Sequence, residues 1–262
     1  MLWRRLLRRG LVELGPTVLG PTVLGPVAKL AYRLRRRGRT SEEVWTKSID
    51  HEINFWADPD RRENLVWRND PTQLGELDRP FWDIAAAHPS AELQILDVGA
   101  GPITPLAKNL PGKTVTVTAI DALADQYDVI LRQIGIEPRV RTEPGHGEAL
   151  LERFSPRSFD ITYAGNALDH TYDPVLVIRN MLELVRDEGS VVLRHYRNEG
   201  QKALYRGLHQ WNFDLRGGDL VIWNGAGEQN VSRLLSQQAQ TQCFLQADEV
   251  WAVIAPHAGA RG

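Results

Sequence analysis

The most constraining feature of this chain is the segment Leu93-Gln94-Ile95-Leu96-Asp97-Val98-Gly99-Ala100-Gly101-Pro102, an apolar run that ends on an acid and a glycine-rich turn. Six residues of this kind read as a strand buried on both faces, which belongs to a parallel sheet covered by helices. Glycines placed directly after such a strand let the backbone turn sharply and approach a ligand with no Cβ in the way. Thr104-Pro105 then has the form of a helix start, with Thr as the cap and Pro in the first turn, so a helix is expected to follow the turn directly.

The rest of the central segment keeps the alternation of strand and helix. Thr114 to Ile120 reads as a second strand ending at Asp121, and Leu123, Tyr127, Ile130, Leu131 and Ile134 recur at helical spacing before a stop at Gly135. A third strand is expected around Pro138 to Thr142. Phe159 to Ala164 is a fourth, leading into Gly165-Asn166-Ala167-Leu168-Asp169-His170. Asp173-Pro174 caps a helix through Leu176, Ile178, Met181, Leu182 and Val185 that is expected to stop at Gly189 and release Val191 to Leu193 as a fifth strand. This order predicts an α/β fold with a parallel sheet and crossover helices. The stretch from Cys243 to Pro256 reads as closing strands.

Two segments precede it. Thr40-Ser41-Glu42-Glu43 has the pattern of a capping box, and Trp45, Ile49, Ile53 and Trp56 form one stripe, so residues 40–90 are expected to form a helical cap. Its tryptophans, with Trp67 and Trp82, are expected to pack onto the main domain. Residues 1–39 are a basic leader containing the repeat GPTVL-GPTVL from Gly15 to Leu24, whose prolines argue against a continuous helix. Residues 1–40 hold ten Lys or Arg and one acid, Glu13. Two readings of the leader stand side by side: peripheral contact with an anionic membrane, or a solvated tail. The remainder carries 21 basic and 32 acidic side chains, which argues against a nucleic-acid groove in the main domain. Cys243 is the only cysteine, so no intrachain disulfide or two-cysteine metal site can form, and a cytoplasmic location is expected.

In an open α/β sheet, ligands bind beyond the carboxyl ends of the strands, where this sequence places Asp97, Gly99, Gly101, Asp121, Glu148, Asn166 and His195. An acid at the end of the second strand suits the hydroxyls of a ribose, which points to a nucleoside-bearing cofactor. The dinucleotide fingerprint is broken, because its third glycine falls on Thr104, and no tyrosine is followed four residues on by Lys.

Through LQILDVGAGPIT, VTVTAID, GHGEAL and FDITYAGNALDHTYDP, residues 93–195 resemble the class I S-adenosylmethionine-dependent methyltransferases. The resemblance implies a Rossmann-like, seven-stranded, mostly parallel sheet with helices on both faces, occupying residues 91–262 behind the N-terminal helical cap, with acceptor-shaping elements from about residue 198. It implies S-adenosyl-L-methionine as cofactor, with Asp97, Gly99 and Gly101 at its methionine end, Asp121 and Ala122 at its ribose, Glu148 beside its adenine and Asn166 near the methionyl group. A further glycine common in the family's first motif is replaced by Ile103.

Methyl transfer to a hydroxyl needs alignment and a proton acceptor. His170 and His195, each after a strand, are the catalytic candidates, while His146 belongs with the adenine loop. His209, Trp211 and Asn212, with Tyr205, Gln210, Trp223 and Asn224, mix rings and amides in a way that suits a polyhydroxylated small-molecule acceptor. The same rings equally suit the core of a β-hairpin from Phe213 to Trp223. The expected activity is O-methylation of a small, glycosidic or other hydroxyl-bearing acceptor; the competing readings are an NAD(P)-dependent oxidoreductase and a non-catalytic cofactor-binding scaffold.

Overall fold

The computed structural model describes residues 21–76 and 78–257. Helices α1 (Pro21–Arg36), α2 (Ser41–Thr46), α3 (Ile49–Ala57), α4 (Arg62–Asn69) and α5 (Arg79–Ala87) lead into β1 (Glu92–Val98) and β2 (Thr114–Asp121). Then come α6 (Ala124–Ile134), β3 (Thr142–Pro144), α7 (Leu150–Arg153), β4 (Phe159–Gly165), α8 (Pro174–Leu184) and β5 (Val185–Tyr196). The C-terminal part holds α9 (Glu199–Lys202), β6 (Asn212–Arg216), β7 (Asp219–Trp223), β8 (Glu228–Asn230), α10 (Val231–Leu235), β9 (Ala239–Gln246) and β10 (Glu249–Pro256).

Seven strands form one sheet in the order β3-β2-β1-β4-β5-β10-β9, parallel except for β10, which runs antiparallel to both its neighbours. The expected Rossmann-like sheet is therefore present, with its closing antiparallel edge. Period-two alternation sends Leu96 and Val98 of β1 into a cluster with Val177, Ile178 and Met181 of α8, and Leu93 and Ile95 into a cluster with Phe81, Trp82 and Ala85 of α5. A separate three-stranded sheet, β6-β7-β8, contains the hairpin expected near Phe213 to Trp223.

The cap begins as its sequence predicts. Thr40 Oγ1 accepts the Glu43 N–H at 3.1 Å, and the Glu43 carboxylate accepts the Thr40 N–H at 2.7 Å. Trp56 and Leu65 pack with Leu123, Tyr127, Ile130 and Leu131, so the cap closes over α6 and the glycine turn.

Four expectations are corrected. No helix follows Thr104-Pro105; the chain from Gly101 to Lys113 is irregular. Pro102, Pro105 and Pro111 interrupt it, and α5 from the cap fills the sheet face instead. Second, the leader contains a helix, α1, with Pro26 inside it. Pro26 costs one hydrogen bond near the N-terminus, while Ala28 and Tyr32, one turn apart, bury themselves against Tyr205. Residues 1–20, on which much of the basic leader and the lipid contact expected of it fall, lie outside the described residues. Third, β3 is Thr142–Pro144, because pairing with Ala119 to Asp121 brings it to the end of β2. Fourth, α8 ends at Leu184, and Gly189 lies within β5, where a Cβ would come within 2.6 Å of the Asp160 carbonyl. Among the described residues no helix is long and apolar enough to cross a membrane.

Candidate active site

All the parallel strands end on one edge, and there a cavity of about 790 Å³ opens. Gly99, Gly101, Asp121, Ala122, Glu148 and Asn166 line one side of it, with Asp97 behind the turn, and Trp45, Phe55, Trp56 and Trp67 of the cap line the other. The cap tryptophans do pack, but Trp45, Trp56 and Trp67 also present ring surface to the cavity; Trp82 alone is fully buried in the core.

The glycine turn is rigidly held. Gly99 and Ala100 both donate to the Ile120 carbonyl, at 2.9 and 3.1 Å. A Cβ on Gly99, at φ +73, would lie 2.4 Å from that of Ala167, so no side chain fits there. Asp121 Oδ2 accepts the Gly101 N–H at 3.0 Å and Oδ1 accepts the Leu123 N–H at 2.9 Å. Arg68 of the cap donates to the carbonyls of Ala100 and Ile103 at 3.2 and 3.1 Å, a role that sequence reasoning missed. Asp97 accepts from Thr104 Oγ1 at 2.6 Å.

Burial pushes the Asp97 carboxyl up to about 7, against the Thr104 hydrogen bond and the Arg68 charge that favour ionisation. Burial likewise pushes Asp121 up to about 6, against its two backbone donors. Two carboxyls desolvated at one mouth suit a ligand that brings hydroxyls or positive charge. A floor of bare backbone and a rim of acids thus fit a nucleoside that carries an amino acid, and they favour it over a pyrophosphate, whose usual seat at a helix N-terminus has no counterpart after this turn.

The loop after β3 reaches the same cavity because Gly145 donates to the Asp121 carbonyl at 3.1 Å. Glu148 Oε1 accepts the backbone N–H groups of Tyr172 and Asp173 at 2.9 and 3.2 Å, and burial raises its pKa. His146 lines the cavity beside Trp45, with ring centroids 5.2 Å apart. Asn166, at φ +52, accepts the Tyr196 N–H at 3.2 Å through Oδ1.

Beyond the turn the cavity is walled by His170 and His209. His170 Nε2 lies 3.0 Å from His209 Nδ1, which is 2.7 Å from Asp169 Oδ2. His170 Nδ1 faces Glu52 Oε2 at 3.8 Å, and the Trp56 indole N–H donates to Glu52 Oε1 at 2.7 Å. Burial opposes ionisation of Asp169, but the charges of both histidines and the His209 hydrogen bond hold it down at about 2. Burial also opposes protonation of His209, yet its bond to Asp169 and the neighbouring acids raise its pKa above the ordinary value. Neither Asp169 nor Glu52 stood out in sequence; the signal for Asp169 was its place beside His170.

Three predicted site residues do not join this group. His195 is 1% exposed, stacks on Phe213 with centroids 3.9 Å apart, and burial lowers its pKa to about 4. It lies off the cavity wall, because its side chain projects from the face of β5 onto Phe213 of β6. Asn212 is wholly buried: its Oδ1 accepts the Gln201 N–H, and its Nδ2 donates to Tyr205 Oη and the Trp223 carbonyl. Trp211 donates its indole N–H to the Thr171 carbonyl at 2.9 Å, tying the loop that carries His209 to the loop that carries His170. Of His209, Trp211 and Asn212, only His209 reaches the cavity.

This sheet order with its cavity at the strand ends defines a Rossmann-like nucleoside-cofactor fold. Residues 96–193 match the family model described as a methyltransferase domain. In that segment the chain is similar to the class I S-adenosylmethionine-dependent methyltransferases. A curated relative, a fumosorinone synthetase from Cordyceps fumosorosea, is 28% identical over 98 residues, covering 36% of this chain. The chain spans 2% of that relative's length. Among solved structures, a SAM-dependent methyltransferase from Aquifex aeolicus is 13% identical, with 78% of this chain and 98% of that one covered at a TM-score of 0.46. The trans-methyltransferase CalH in complex with SAH is 17% identical, with 67% and 53% covered at a TM-score of 0.43.

Proposed function

We propose that this protein transfers a methyl group from S-adenosyl-L-methionine to a hydroxyl of a small, glycosidic or otherwise polyhydroxylated acceptor. The observation that carries the reading is the shared cavity: strand-end glycines and acids form one wall, cap tryptophans the opposite wall, and His170 and His209 stand between them. At about 790 Å³ it lies within the roughly 300–1,000 Å³ range of small-molecule sites, enough for a nucleoside cofactor with a small acceptor and too little for a polymer.

When bound, the cofactor supplies an electrophilic methyl group on a sulfonium. The chain's own residues then bind, orient and move a proton. Gly99 and Gly101 let the methionine end approach the backbone, Asp97 faces its positive charge, Asp121 with Ala122 receives the ribose, and Glu148 and His146 flank the adenine. Asn166 stands beside the methionyl group. The cap rings supply flat surfaces for an acceptor and exclude water, and the Asp169–His170–His209 cluster takes charge of the acceptor hydroxyl.

Calorimetry with S-adenosylmethionine, S-adenosylhomocysteine and NAD, followed by transfer of a labelled methyl group to a panel of sugars, glycosides and phenols, tests the reading. Binding of the first two with labelled product supports it. Binding without transfer to any acceptor favours a scaffold, and selective NAD binding favours an oxidoreductase.

A further inference from the structure

Three electron-rich atoms converge beside the cavity: His170 Nε2, His209 Nδ1 and Asp169 Oδ2, with separations of 3.0, 2.7 and 3.6 Å. We propose that Asp169, His170 and His209 are the ligands of a divalent first-row transition-metal ion whose open coordination positions face the acceptor.

The spacing is the first argument. Metal bonds of about 2.0–2.2 Å to imidazole nitrogen and carboxylate oxygen, set near right angles on one face, place neighbouring ligand atoms about 3 Å apart. One proton on His209 Nδ1 serves the short contact to Asp169 and leaves His170 Nε2 only a share of a forked bond. One cation serves all three atoms.

The second argument is an oxygen without a donor. Asp169 is 2% exposed, and its Oδ1 is buried with no hydrogen-bond partner among the described residues. A buried carboxylate oxygen left in this condition is costly, and a two-oxygen grip on a cation satisfies it.

The third lies around the ligands. An imidazole that binds a metal through one nitrogen usually turns its other N–H toward a carboxylate. His170 Nδ1 faces Glu52 Oε2 at 3.8 Å, and Glu52 is itself fixed by the Trp56 indole. The loop carrying His209 is stitched to the turn carrying the other two ligands by the Gln210 N–H to the Asp169 carbonyl, 2.8 Å, and by Trp211 to Thr171. Such bracing holds a ligand set in place ahead of the ion. Two imidazoles and a carboxylate, with no thiolate, suit Zn²⁺, Mn²⁺, Fe²⁺ or Co²⁺.

What the ion would do rests on the methyl-transfer reading above. A hydroxyl oxygen bound to it gives up its proton more readily. In that step the acceptor O–H bond breaks with its proton passing to solvent, the new C–O bond to the methyl forms, and the methyl–sulfur bond breaks with its electron pair staying on sulfur. Two imidazoles and a two-oxygen carboxylate fill four positions of a six-coordinate ion and leave two adjacent ones, so the substrate class is one with adjacent oxygens, a vicinal diol or a catechol-like ring.

The test uses the full chain stripped with a chelator and titrated with Co²⁺, read by its visible absorption, and with Mn²⁺, read by electron paramagnetic resonance. One ion per chain is expected. Glu52→Gln should weaken it by about 10- to 100-fold, the usual effect of an outer-shell partner. Asp169→Asn and His209→Gln should each weaken it further. S-Adenosylhomocysteine affinity, measured on the same samples, should hold in every variant and reports an intact fold. No saturable Co²⁺ or Mn²⁺ binding by the unmodified chain overturns the site whatever the variants do, and so does unchanged affinity in folded variants. Metal binding without S-adenosylhomocysteine binding would leave the metal site standing and overturn the methyl-transfer reading instead.

Discussion

Thr104 Oγ1 donates a 2.6 Å hydrogen bond to Asp97 Oδ2, and the same oxygen accepts the Leu106 N–H at 3.1 Å. One hydroxyl thus closes the loop after the glycine turn and holds the carboxyl that ends β1. Thr104→Val keeps the shape and removes the hydroxyl, leaving a buried carboxyl oxygen and a backbone N–H without their partner. Each such loss costs about 1–3 kcal/mol, so urea unfolding should show a destabilisation of that order, with recovery in Thr104→Ser. An unchanged midpoint would mean that the bond is immaterial to the fold.

Asp97 also sets a pH dependence. Its carboxyl titrates at about 7 in the folded chain against an ordinary 3.8, so the native state holds this proton more tightly than the unfolded state. Stability from this group is therefore fully present below about pH 4 and is lost as pH rises through about 7. The stability of the unmodified chain relative to Asp97→Asn should fall across that window in stepwise urea titrations without cofactor. A flat difference would show that Asp97 titrates normally.

The sheet was legible because its signals are local. Leu93 to Val98, Thr114 to Asp121 and Phe159 to Gly165 are short apolar or β-branched runs between turn residues, and Gly99 and Gly101 read as a ligand turn from chain order alone. The helix expected after Thr104 failed although its hydroxyl accepts the Leu106 N–H as a cap would, because Pro111 falls inside the span and α5 already fills that face of the sheet. The site was half legible for a related reason. Asp97, Asp121 and Asn166 sit at strand ends and Glu148 in the loop after β3, so they could be placed by counting. Asp169 and Glu52 join the site only through partners far along the chain: His209 for the one, His170 for the other. Asn212 misled because an amide between two rings looks the same in a sequence whether it faces a sugar or ties two backbone groups and a tyrosine hydroxyl together.

Asp121 serves the turn as well as the proposed ribose contact. Asp121→Ala should weaken S-adenosylhomocysteine binding by roughly 1.5–3 kcal/mol for each lost bond to the carboxylate. Asp121→Asn, which retains an oxygen for one of the two backbone N–H groups, should lose less. Calorimetry that finds the same dissociation constant in all three proteins would remove Asp121 from the cofactor site.

Tyr32 makes part of the basic leader structural. Its ring lies 5.0 Å from that of Tyr205, and a Cβ on Gly225 would come within 2.3 Å of it. Tyr32→Ala should cost on the order of 3 kcal/mol, as for other buried aromatic truncations, and Gly225→Ala should destabilise by pushing the ring out. Equal unfolding midpoints for the unmodified chain and both variants would return α1 to the status of a dispensable tail.

His170 occupies the point where the proposed acceptor site, Glu52 and the His209–Asp169 pair meet. If it handles the acceptor's hydroxyl, His170→Ala should lower turnover by about 10²- to 10⁴-fold, the usual contribution of a group that manages a proton. Cofactor affinity should barely change, because Gly99, Gly101 and Asp121 are held by bonds that do not involve it. His170→Asn separates two modes of action. Asn keeps a hydrogen-bonding side chain but cannot take up a proton, so activity retained in Asn and lost in Ala marks His170 as a positioning residue. Loss in both marks a role that only the imidazole fills. Full turnover in both variants, at saturating cofactor and on an accepted substrate, would remove His170 from the reaction. The candidate would then be His209, which shares the cavity wall, and not His195, whose ring is sealed against Phe213.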